Sequence, residues 1–155
     1  MRRLSILGVA VGGAVDILAT NVASLPIVIY ASTQIGLLSI PKAEQTAALM
    51  AYLKGNFALY ALLTVLGCLC SVLGGYVAAL IARRAELLNG AASAFLCVGL
   101  GIWTMVQGNE QVPTWLHVLL LPLSPGLGAL GGYLRARQVR ARVTAPAPVA
   151  ASGAA

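Results

Sequence analysis

Hydrophobic positions in this chain neither alternate nor trace one helical stripe; they fill four blocks on every side. The blocks cover residues 4–30, 57–82, 87–107 and 113–134, and the second contains no charged residue. A helix needs roughly 20 apolar residues to cross about 30 Å of hydrocarbon, and every block reaches that length. A helix that is apolar all round belongs in the core of a large protein or in a bilayer. The 155 residues offer no interior large enough for four such helices. The pattern therefore predicts an all-α, polytopic membrane protein with four transmembrane helices. Composition agrees: 59% of residues are hydrophobic and 9% charged, where a soluble domain carries about 25% charge. Mean hydropathy is +0.90. These figures exclude a water-soluble globule, a disordered chain and a disulfide-rich secreted scaffold.

Outside the blocks, residues 41–54 read as a short extramembrane helix, with Pro41 suited to its first turn and Gly55-Asn56 as a stop. Its Leu49, Met50 and Leu53 are expected toward the membrane surface, with Lys42, Glu44 and Gln45 in water. A plain connector helix is the alternative. Residues 143–155 are Ala/Pro-rich and uncharged and read as a disordered tail, leaving 1–142 as one domain.

Charge sets the threading. Arg2 and Arg3 precede the first block, Arg83 and Arg84 separate the second from the third, and Arg135, Arg137, Arg140 and Arg142 follow the fourth. Eight of the ten basic residues thus share one side, while Lys42 and Lys54 lie opposite beside Glu44 and Glu110. The positive-inside rule puts the eight, and both termini, in the cytoplasm. Tyr30, Tyr52, Phe57, Tyr60, Trp103 and Trp115 fall near the outer boundary, Tyr76 and Tyr133 near the inner one, as an aromatic belt requires. The net charge of +6 follows from topology and from attraction to anionic lipid at the cytoplasmic face; nothing calls for nucleic acid. Met1-Arg2-Arg3 before an apolar run has the start of a secretion signal. The length of the run, Asp16 within it and the lack of an Ala-x-Ala site favour a retained helix.

Leu73-Gly74-Gly75-Tyr76 in the second block recurs 57 residues later as Leu130-Gly131-Gly132-Tyr133 in the fourth. Both copies run outside to inside, so the spans form two helical hairpins related by a parallel repeat, unless the match is coincidence in Gly/Ala-rich helices. Small residues recur every fourth position: Gly67, Ser71, Gly75 and Ala79 against Ser124, Gly128, Gly132 and Ala136, with Gly8 and Gly12 in the first block. Lipid supplies no hydrophobic drive between helices, so close backbone approach at such residues holds them together. These faces serve either packing within one bundle or self-association.

The run Gly74 to Arg84, followed by Leu87-Leu88-Asn89-Gly90-Ala91-Ala92, resembles a pattern in small four-helix bacterial inner-membrane proteins, mostly uncharacterised. In them a Gly-Gly-aromatic element closes the second helix, a basic turn follows, and Leu-His/Asn-Gly opens the third. The resemblance covers some twenty residues. It implies a multi-pass protein of a bacterial inner membrane and carries no activity or catalytic residue.

Asp16 is the acid inside a span. A charge at mid-membrane costs at least about 2.5–3.5 kcal/mol on insertion scales, so it should face protein or water. Counted from the cytoplasmic ends, Asp16 shares a depth with residues 121–126, and Asn21 shares one with His117. Pro122 and Pro125 remove two backbone donors there, and Pro26 does the same in the first block; such breaks are tolerated where they are buried or line a wet cavity. One reading is therefore a polar pocket between the first and fourth helices, lined by Asp16, Thr20, Asn21, His117 and Ser124, taking a proton or small cation. The other is a protonated Asp16 hydrogen-bonded within the bundle. One His and one Asp are too few for a metal site. Cys68, Cys70 and Cys97 read as free apolar thiols, and no cofactor or enzymatic motif is expected. Two functions follow: a non-catalytic packing, partner or accessory subunit, or a small proton- or cation-coupled transporter built on Asp16.

Overall fold

The computed structural model describes residues 4–106 and 114–144, excepting the side chains of 104–105, 114–121 and 143–144. The described chain is helical throughout: α1 is Ile6–Gln34, α2 Lys42–Gly55, α3 Phe57–Ala82, α4 Glu86–Val106 and α5 Thr114–Thr144, with a short 3-10 turn at Leu37–Ser39. Among the described residues, three helices are long and apolar enough to cross a membrane, over Ile6–Gln34, Phe57–Ala82 and Glu86–Trp103. The fourth expected span falls within α5, whose first eight side chains lie outside the described ones. α5 continues as helix past 134 to Thr144, two residues into the expected tail; residues 145–155 lie outside the described residues.

Local chemistry sets the helix ends. Ser5 caps α1 by accepting from the Gly8 N–H at 3.1 Å. Asn56 closes α2 with its own N–H and opens α3 by accepting from the Leu59 N–H. α3 stops where Arg83 turns left-handed (φ 53°), and Ala85 follows with φ 48°. Neither residue is glycine, and the left-handed region costs a side-chain-bearing residue about 1–2 kcal/mol. The buried Asn89 amide bridges that turn, donating to the carbonyls of Arg84 and Ala85 at 2.9 and 3.1 Å. Pro26 lies inside α1, and Pro122 and Pro125 inside α5; the helices run through all three, so the prolines interrupt hydrogen bonding without ending a helix.

α1 packs against α3 and α4, α5 packs against the same two, and α3 also touches α4. Among the described residues α1 and α5 do not meet. Glycines make these approaches possible. A Cβ on Gly12 would come within 2.7 Å of the Gly74 carbonyl oxygen, and one on Gly8 within 2.8 Å of that of Ala78. The two repeat copies lock together through Gly75 on Gly128 and through Gly131 on Val72 and Tyr76, while Gly90 and Gly132 bring α4 onto α5. The glycine faces of Gly8, Gly12, Gly75, Gly128 and Gly132 are thus filled from within the chain. Gly67 differs: a Cβ there would meet nothing within 4 Å.

The interior is built from small residues. Ala31, Ala78, Ala79 and Ala94 are almost wholly buried, and the largest fully buried side chain is Asn89. Large apolar side chains point outward, among them Ile6, Leu7, Leu69 and Phe95. Water-soluble folds put such residues inside; lipid tolerates the reverse.

At the α2 end of the bundle, Leu53 of α2 is buried with Ile27 and Ala31 of α1, and Leu49 and Met50 pack on the same cluster. Both readings of this helix, membrane surface and plain connector, stand beside this arrangement, in which its apolar side chains pack on α1 and α3. The Gln45 amide donates to the carbonyls of Leu37 and Ile40, pinning α2 to the preceding turn.

Candidate functional site

Asp16 lies on the face of α1 that the glycines press inward, and it is 4% exposed. Gly74 brings α3 against it, since a Cβ at Gly74 would stand 2.7 Å from the Asp16 Cβ. Three helices supply donors to the carboxyl. Oδ1 accepts from Ser71 Oγ of α3 at 3.3 Å and from Thr20 Oγ1, one turn along α1, at 3.5 Å. Oδ2 accepts from the Cys97 thiol of α4 at 3.1 Å. Hydrogen bonds between membrane helices contribute about 0.6 kcal/mol on average, so this ring orients the acid more than it stabilises the bundle. Among the described residues, no basic side chain pairs with Asp16.

Above the acid the helices part around a cavity of about 530 Å³, within the range of small-molecule sites. It runs from Asp16, Ser71 and Cys97 past Thr20, Asn21, Ser24 and Thr64 to Lys54 and Tyr60 at the α2 end. Ser124 and Leu127 reach it from α5, and Gly67 opens onto it. The space exists because the tight glycine contacts lie toward the other end of the bundle, where Gly8, Gly12, Gly74, Gly90 and Gly132 sit.

Of the residues singled out in the sequence, Asp16, Thr20, Asn21 and Ser124 line this one cavity. Asn21 turns partly to its own helix, donating to the Ile17 carbonyl at 2.8 Å. His117 belongs to α5, but its side chain lies outside the described ones. The pocket was expected between the first and fourth helices; among the described residues the cavity takes most of its lining from α1 and α3, with Cys97 and Leu100 from α4 and Ser124 and Leu127 from α5. Ser71, expected as a packing surface, is an Asp16 donor, and Gly67 is cavity wall. Cys97 and Gly74 were missed as partners of the acid. Their signal was available: Asp16 is ten residues into α1, Cys97 eleven into α4, and Ser71 eleven from the end of α3, which puts all three at one depth.

Compared with known proteins, the chain matches no family model, no curated protein and no solved structure.

Proposed function

We propose that this chain is a multi-pass protein of a bacterial inner membrane, with four spans and both termini cytoplasmic. Within it, the Asp16 cavity binds a small solute whose movement is coupled to a proton or cation. The carrying observation is the Asp16 carboxyl, buried, ringed by donors from three helices and lining the cavity. A carboxylate at that depth is costly unless a proton or cation offsets its charge, and intramembrane acids of this kind mark ion and substrate paths. Support for the threading comes from the three apolar helices and the one-sided arginines. The alternative, a packing or accessory subunit, loses the faces of Gly8, Gly12, Gly75, Gly128 and Gly132, which are spent inside the chain, and keeps Gly67, Gly99, Gly101 and Gly126, where a Cβ would meet nothing within 4 Å.

The test is purified protein in liposomes loaded with a pH dye, challenged with alkali cations, amines and amino acids. A solute-dependent proton flux that disappears in Asp16→Asn, at unchanged reconstitution, is the expected result. Proton flux of equal size with Asp16→Asn, or none with any solute, counts against the reading.

A further inference from the structure

We infer that the ligand of the cavity is an organic monocation with an apolar body, an amine or quaternary ammonium whose charge rests against Asp16. This deepens the solute-site reading and depends on it. The walls decide the class. Beyond the acid and its donors they are mainly aliphatic, with Ile17, Val28, Leu63, Leu66, Leu100 and Leu127 facing the space. A bare or hydrated inorganic ion would exchange water for hydrocarbon over most of that surface, and calcium alone asks for 6–8 oxygens. Asp16 brings two carboxylate oxygens, and only the hydroxyls of Thr20 and Ser71 stand beside them, with a thiol on the other edge. Among the described residues no three His, Cys, Asp or Glu converge.

A proton by itself needs no room, and about 530 Å³ is far more than one requires. One carboxylate matches one positive charge. Lys54, the basic residue of the lining, belongs with Leu53 at the level of Ile27, about 16 Å along the axis from Asp16. A cation seated at the acid is therefore well away from it.

Equilibrium binding of labelled tetraphenylphosphonium to the purified full chain in detergent tests this. Tetraphenylborate, of the same shape and opposite charge, serves as competitor, and labelled sodium as the inorganic probe. Saturable tetraphenylphosphonium binding is expected, weakened at least tenfold by Asp16→Asn and not displaced by tetraphenylborate. Gly67→Trp, which fills the cavity at a site with no neighbour and keeps the acid, is expected to abolish it. Equal affinity in Asp16→Asn, equal displacement by the anion, or full binding in Gly67→Trp overturns the inference. Asp16-dependent sodium binding without tetraphenylphosphonium binding overturns it while leaving the site reading in place. If neither probe binds, both fall. Should Asp16→Asn fail to elute as folded protein, Gly67→Trp still decides.

Discussion

The main-chain N–H of Ser5 donates to Oδ1 of Asn89 over 2.7 Å, joining residues 84 positions apart. The same Asn89 side chain holds the carbonyls of Arg84 and Ala85 through its Nδ2. One fully buried amide therefore ties the start of α1 to the left-handed turn between α3 and α4.

Replacing Asn89 with Ala takes this partner from the Ser5 N–H and the Arg84 carbonyl at a partly buried junction, while the Ala85 carbonyl keeps the Asn89 N–H. A buried polar group stripped of its partner costs about 1–3 kcal/mol. The expected outcome for Asn89→Ala is a loss of that size in thermal or denaturant unfolding in detergent. A change below about 0.5 kcal/mol, the size of an ordinary surface substitution, would contradict the role given to this amide.

Ala85 holds φ 48° with a Cβ in place. Glycine relieves that conformation but adds freedom to the unfolded chain, so the two effects partly cancel. Ala85→Gly is expected to stabilise by about 0.5–1 kcal/mol, read as a raised melting midpoint. A lowered midpoint would mean that the turn carries no strain.

Two glycines of the same helix should respond in opposite directions. A Cβ on Gly75 would lie 2.7 Å from the Gly128 Cα and strike its carbonyl, whereas Gly67 faces open space. Gly75→Ala is expected to destabilise by about 1–3 kcal/mol through overpacking. Gly67→Ala is expected to be neutral or to gain up to about 1 kcal/mol of helix propensity. Because Gly75 packs inside its own chain, Gly75→Leu should unfold the protomer; dissociation of an otherwise folded oligomer would instead assign that face to a partner.

Reporter fusions check the proposed threading. Alkaline phosphatase joined after Lys54 should be active and joined after Arg84 or Arg142 inactive, with the reverse for a cytoplasmic fluorescent reporter. Active phosphatase after Arg142 would place the end of α5 across the bilayer from the position proposed.

The long helices were legible because lipid makes hydrophobicity a length measurement: 57–82 in the sequence is Phe57–Ala82 in the fold. Asp16 was legible because an acid in oil has few reasons to be there. Depth was legible too, and applied to every helix it would have joined Ser71 and Cys97 to Asp16. Two things were not. The order of helices around the bundle has no local signature, so the share of the cavity wall that α3 supplies was not foreseen. The direction in which a small residue faces depends on that same order, which is why Gly67 and Gly75, eight residues apart on one stripe, came out as open wall and tight seam. Asn89 was visible only as part of a motif; its bond to Ser5 needs the chain to close on itself.

With α1 and α5 apart, the four long helices make two triangles that share the α3–α4 edge. The donors around the acid all belong to the first triangle, α1, α3 and α4. The interlock of Gly75, Gly90, Gly128, Gly131 and Gly132 belongs to the second, α3, α4 and α5. The donors of the acid and that clasp are consequently housed on either side of a common spine, and among the described residues Ser124 and Leu127 of α5 reach across it to the cavity.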